Sequence, residues 1–83
     1  MSIALPSKTV FITGCSSGIG RATAKLFQRH GWKVVATMRS PEQETELKKL
    51  DDVLVLRLDV SDQASIDAAV KTALEKLGHI DVL

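Results

Sequence analysis

Thr13-Gly14-Cys15-Ser16-Ser17-Gly18-Ile19-Gly20 is the stretch on which the reading of this chain turns. It follows Lys8-Thr9-Val10-Phe11-Ile12-Thr13, a β-branched and aromatic run of the kind that forms a strand buried on both faces. It leads into a segment where Ile19, Ala22, Thr23, Leu26, Phe27 and His30 recur at helical spacing, with Arg21, Lys25 and Arg29 as the opposite stripe. Gly31 stands where a helix needs a left-handed residue just past its end. A glycine-rich turn between a strand and a helix brings open amides to the positive end of the helix, a combination that suits a phosphate. Gly14 permits the sharp turn, Gly18 lets backbone approach the phosphates, Gly20 lets the helix pack on the strand, and Ser16 and Ser17 add hydroxyl donors. Glycine at a tight strand-to-helix connection can serve conformation alone; three at one junction make the turn a candidate site. No Gly-Lys-Ser/Thr ending follows, which excludes the nucleotide-triphosphate loop built on that lysine.

The pattern continues outward. Lys33-Val34-Val35-Ala36-Thr37-Met38 reads as a second strand. Ser40 then reads as an N-cap, with Pro41 at the first helical position and Gln43 completing a capping box for a second helix reaching about Leu50. Val53-Leu54-Val55-Leu56-Arg57-Leu58 is a third strand, and Ser61 is the expected cap of a third helix with Ile66, Ala69, Val70, Ala73, Leu74 and Leu77 on its apolar face, ended by Gly78. Ile80-Asp81-Val82-Leu83 has the look of a fourth strand beginning. Strands alternating with helices over short loops predict an α/β fold: a Rossmann-type parallel sheet with flanking helices, three strands plus the start of a fourth. The expected spatial order is three, two, one, with the first and third helices on different faces or ends of the sheet and Ile12, Val34, Val35, Leu54 and Leu56 in the core.

Eighty-three residues, 45% hydrophobic and 25% charged, fit one globular unit. Such a chain buries about two thirds of its unfolded surface, which makes its core marginal unless something completes it. Eleven basic and ten acidic residues are scattered for a net charge of +1, with no basic stripe to select nucleic acid or an anionic membrane. No apolar run approaches membrane-spanning length and Met1–Ser7 lacks a signal-peptide pattern, so the expected location is cytoplasmic. Cys15 stands alone, which rules out an internal disulfide or a cysteine zinc site; it reads as a small residue in a tight loop, with a reactive thiol as the alternative. His30 and His79 have no partners at metal-ligand or catalytic spacing, and Trp32 reads as a partly buried boundary residue. No metal-binding residues are expected.

The spacing Gly-x-x-x-Gly-x-Gly differs from the general Gly-x-Gly-x-x-Gly fingerprint, and Thr13-Gly14-Cys15-Ser16-Ser17-Gly18-Ile19-Gly20 resembles the cofactor motif of the short-chain dehydrogenase/reductase family. Leu58-Asp59-Val60 and Ile80-Asp81-Val82-Leu83 resemble that family in the same order, so the resemblance spans nearly the whole chain. It implies that residues 1–83 form the N-terminal part of a Rossmann NADP-binding domain, with Gly14, Ser16, Ser17, Gly18, Ile19 and Gly20 at the dinucleotide and Asp59 at its adenine. Asp59 could also simply mark a strand end, and Asp81 reads better as a solvated strand edge. In NAD-binding folds an acidic side chain about twenty residues past the glycines takes the ribose hydroxyls. By the resemblance Met38 occupies that position and Arg39 the next, where a family arginine grips the 2′-phosphate, so NADP is expected over NAD.

The family resembled transfers hydride between a nicotinamide and an alcohol or carbonyl substrate, using a serine and a Tyr-x-x-x-Lys pair with a supporting asparagine. The chain has no tyrosine, and by the resemblance none of its serines or lysines matches the family's catalytic positions, so it is expected to contain no catalytic residue and to be inactive alone. Within the family the turn followed by Ala36-Thr37-Met38-Arg39 looks most like the branch acting on steroids, retinoids and related hydrophobic alcohols. Two alternatives stand beside an N-terminal oxidoreductase segment: a nucleotide-binding module without catalysis, and an interaction fragment. A first strand lacking its fourth-strand neighbour would leave an open edge, from which self-association is expected.

Overall fold

The computed structural model describes residues 8–81, so Val82 and Leu83 of the expected fourth strand lie outside the described residues. Three strands, β1 (Thr9–Ile12), β2 (Lys33–Met38) and β3 (Val53–Arg57), form one parallel sheet with β2 in the middle. The register pairs Val10 with Val34 and Ile12 with Ala36, then Val34 with Val53 and Met38 with Arg57. Helix α1 (Gly18–Arg29) links β1 to β2, and α2 (Gln63–Leu77) follows β3. The expected strand order is the observed one.

Alternation along the buried strands sends neighbouring side chains to opposite faces. Val10, Val34, Ala36 and Met38 pack with Cys15, Ala24 of α1 and Leu47 on one side. Phe11 and Val35 pack with Leu58 and with Ala69 and Ala73 of α2 on the other. The two helices therefore cover different faces, as parallel crossovers require. Val34 and Val35 are fully buried, whereas Ile12, Leu54 and Leu56 are half-buried, which corrects the expected core. β3 is an edge strand, with one neighbour instead of two.

The expected apolar stripe of α1 is also corrected. Ile19 and Leu26 are 87% and 50% exposed, while Ala24 is buried and Phe27 packs against the core. The reason is the tight approach at the helix start: Gly20 sits so close to Gly14 that small residues, Gly20 and Ala24 one turn apart, must form the inner face. Phe27 meets Trp32 edge-on at 4.9 Å, and Lys8 Nζ lies 5.6 Å from the Trp32 ring, which confirms Trp32 as a boundary residue.

The second helix expected over Ser40–Leu50 does not form. Two 3₁₀ turns, Pro41–Gln43 and Leu47–Lys49, replace it, with Glu44 extended between them and no side-chain cap from Ser40. In an α-helix the Leu47 N–H would donate to the carbonyl four residues back. Here it donates to the Glu44 carboxylate at 2.8 Å. The cap of α2 moves by one residue: Asp62, not Ser61, accepts the Ala64 amide at 3.0 Å, and Gly78 ends the helix with φ of 84°. Asp81 is more than a solvated edge, since its amide donates to the Thr9 carbonyl at 2.8 Å and its carboxylate accepts the Thr9 amide at 2.7 Å. His79, itself exposed, lies 3.0 Å from that same carboxylate. Among the described residues no helix is long and apolar enough to cross a membrane.

Candidate cofactor-binding site

The carboxyl ends of β1 and β2 meet at the glycine turn. Cys15 N–H donates to the Thr37 carbonyl at 3.0 Å and the Thr37 hydroxyl donates to the Ile12 carbonyl at 2.8 Å, which ties the turn to the sheet. Gly14 and Gly18 adopt φ of 68° and 62°, the left-handed region where a side chain is strained. Gly20 is required for space instead: a Cβ there would lie 2.2 Å from the Gly14 carbonyl oxygen. Cys15 is buried with its thiol 3.4 Å from the Ile12 carbonyl, and burial pushes its pKa up. The packing reading of Cys15 holds and the reactive-thiol alternative does not.

Ser17 caps α1 in extended geometry without a side-chain bond, and the first turn of α1 holds no acidic residue. The leading amides of the helix thus have neither an intrahelical acceptor nor a side-chain cap, an arrangement suited to an anion. Beside them opens a groove of about 460 Å³, lined by Gly14, Ser16, Met38, Arg39, Ser40, Gln43, Glu44, Leu58 and Val60. Of the residues singled out from the sequence, Gly14, Ser16 and Arg39 line this groove. Ser17, Gly18, Ile19 and Gly20 follow Ser16 into the helix start without lining the groove, and Asp59 stands in the chain between the lining residues Leu58 and Val60.

Asp59 is held in place by its neighbours. Its carboxylate accepts the Ser61 hydroxyl at 2.6 Å and the Ser61 amide at 3.0 Å, and its amide donates to Ser65 Oγ at 2.9 Å. The Ser61 hydroxyl, then the Ser61 amide, hold its carboxyl below the usual range. This use of Ser61 explains why the helix cap passes to Asp62. Arg39 stands 75% exposed at the end of β2, with its Nε 3.9 Å from Asp59 Oδ1, a distance at which the pair is loose.

Sequence reasoning missed Glu44. Its carboxylate is buried at the groove, paired with Arg21 of α1 and hydrogen-bonded by Leu47. Its pKa is lowered, chiefly by the Arg21 guanidinium. Glu46 pairs with Arg21 as well and with Lys25 at 3.3 Å. The basic stripe Arg21–Lys25 was the visible signal, and it lacked its acidic counterpart while Glu44 was read as part of a helix. Among the described residues no group of three or more His, Cys, Asp or Glu could hold a metal ion.

A profile of the short chain dehydrogenase family matches residues 8–83. The chain belongs to the short-chain dehydrogenase family. Among its relatives in that family, oxidoreductase UcpA of Escherichia coli K12 is 42% identical over 87 residues, covering 95% of this chain and 32% of the relative. The crystal structure of 3-ketoacyl-(acyl-carrier-protein) reductase from Brucella melitensis complexed with NADH superposes with a TM-score of 0.80 at 35% identity, covering 95% of this chain and 34% of that one. A short-chain dehydrogenase/reductase from Burkholderia phymatum in complex with NAD gives a TM-score of 0.81 at 30% identity, covering 92% and 29%. The chain spans about a third of the length of the curated relatives it matches.

Proposed function

We propose that the protein is an NADP-dependent short-chain oxidoreductase, and that residues 1–83, the N-terminal part of its Rossmann domain, hold the adenosine and pyrophosphate portion of the dinucleotide. The observation that carries this reading is the groove end formed by Met38 and Arg39: no carboxylate stands at the end of β2, and an exposed guanidinium does. The fit of a dinucleotide is supported by the uncapped amides of α1 and by Gly14 and Gly18, whose open side leaves room for phosphate oxygens. In this reading Ser16, Ser17 and the amides of Gly18, Ile19 and Gly20 orient the pyrophosphate. Asp59 accepts a hydrogen bond from the adenine amino group, with Leu58 and Val60 beside the ring. Arg39 meets the 2′-phosphate. The dinucleotide, when bound, supplies hydride chemistry to an alcohol or carbonyl substrate.

The test is Arg39→Ala, assayed by titration with NADPH and NADH. The loss expected is about 1.5–3 kcal/mol, or one to two powers of ten, for NADPH, with NADH hardly changed. Equal losses for both would sink the assignment of Arg39. NAD is the second reading, favoured by the NADH and NAD held by the two structural relatives and by Asp59 partly engaging Arg39. For the isolated 83-residue segment only, where the described outer edge of β1 carries the Asp81 contact at Thr9, self-association is part of the reading, and a monomer in sedimentation would remove it.

A further inference from the structure

Arg21, in the first turn of α1, has two carboxylate partners. Both its Nη atoms reach Glu44, one at 3.3 Å, and Nη2 also reaches Glu46. The two glutamates differ in surroundings: the Glu46 side chain is 63% exposed, whereas that of Glu44 is 4% exposed and lines the groove together with Arg39 and Ser40. A carboxylate this buried is tolerated because a cation pairs with it. Arg21, itself 23% exposed on its side chain, supplies that cation from the neighbouring helix. Without it, Glu44 would put a bare negative charge in the same groove where Arg39 is read as meeting a phosphate. Like charges sharing a site disfavour each other.

We propose that Arg21 is a specificity-determining positioning residue: by holding and neutralising Glu44 it keeps the Arg39 side of the groove open to a dinucleotide bearing a phosphate on its adenosine ribose. The inference rests on the Arg39 reading. Arg21 acts through Glu44 and makes no contact with the dinucleotide. Its effect is electrostatic, so it falls on the ligand with the extra phosphate, which carries roughly two negative charges at neutral pH. A loss of mere scaffolding would weaken both dinucleotides alike.

The experiment titrates the full-length protein with NADPH and NADH, comparing wild type, Arg21→Met, Glu44→Gln and the double variant. Arg21→Met should lower the NADPH-to-NADH affinity ratio about tenfold at low salt, and by less as salt screens the charge. Glu44→Gln removes the negative charge and should raise the ratio by about threefold, and adding it to Arg21→Met should restore the wild-type ratio. Should Arg21→Met fail to fold, Glu44→Gln decides alone: a rise supports the inference and an unchanged or lower ratio overturns it. A wild type that prefers NADPH through Arg39, with a ratio unmoved in Arg21→Met, overturns this inference and spares the Arg39 reading. A wild type that prefers NADH and is indifferent to Arg39→Ala overturns both.

Discussion

Replacing Gly20 by alanine places one methyl group against backbone. The added Cβ would lie 2.2 Å from the Gly14 oxygen, 2.8 Å from the Gly14 carbonyl carbon and 3.1 Å from the Thr13 oxygen. Ordinary contact requires the start of α1 to retreat from the turn by about 1 Å. No rotamer change relieves this, because every obstructing atom is main chain. Overpacking costs about 1–3 kcal/mol, and the absence of a soft partner puts this case at the top of that range. Alanine regains up to about 1 kcal/mol of helix propensity, which leaves a net loss of about 2 kcal/mol. Urea unfolding followed by circular dichroism should show a lower midpoint with an unchanged slope. Gly18→Ala is the matching control: it meets nothing within 4 Å but must hold φ of 62°, a strain of about 1 kcal/mol. If Gly20→Ala proved as stable as wild type, or less harmful than Gly18→Ala, the close approach of helix and turn would be refuted.

Three further outcomes follow from local contacts. Asp62→Ala removes the cap on the Ala64 amide and should cost about 1 kcal/mol in thermal or urea unfolding, whereas Ser61→Ala should leave the start of α2 intact. Glu44 and Glu46 have lowered pKa values through Arg21, so their stabilising effect is complete above the usual glutamate range and is lost as pH falls through the depressed values. Unfolding midpoints measured downward from about pH 5 should therefore fall more steeply in wild type than in Arg21→Met, and parallel curves would contradict the pairing. Cys15 should resist a thiol reagent at neutral pH in the folded protein and react once urea unfolds it; rapid native labelling would contradict its burial.

The strand-turn-helix junction was legible because its signals are local. A β-branched run, glycines at the turn and helical spacing after it sufficed to place β1, α1 and the uncapped amides at the start of α1. The order of the strands followed from short crossovers of fixed hand. Three features were hidden, and each depends on a specific contact that residue propensity and spacing do not reveal. The segment after Ser40 carries good helix-start residues, yet Arg21, twenty-three positions from Glu44, draws that glutamate out of helical geometry. Ser61 and Asp62 are both good caps, and the choice between them was made by Asp59 engaging Ser61. The inner face of α1 was misjudged because large apolar residues outweigh small ones in a periodicity count, while the approach to Gly14 admits only small ones. Glu44, the groove residue that no motif announced, was invisible for the first of these reasons.

The separation of the core into two clusters, one on each face of a sheet three strands wide, bears on how this segment can change over time. Val34 and Val35 are adjacent in sequence yet belong to different clusters, with main chain between them. Substitutions that repack the α2 side therefore combine nearly additively with substitutions on the α1 side, since residues without shared partners couple weakly. The α1 side also carries the glycine turn and the Arg21–Glu44 pair, so a change there disturbs the groove as well as the packing. The α2 side contributes Leu58 at the groove margin and, through Ser65, a hydrogen bond to the Asp59 amide, while Phe11, Val35, Ala69 and Ala73 pack away from the groove lining. One polypeptide layer thus insulates a more constrained half from a less constrained one.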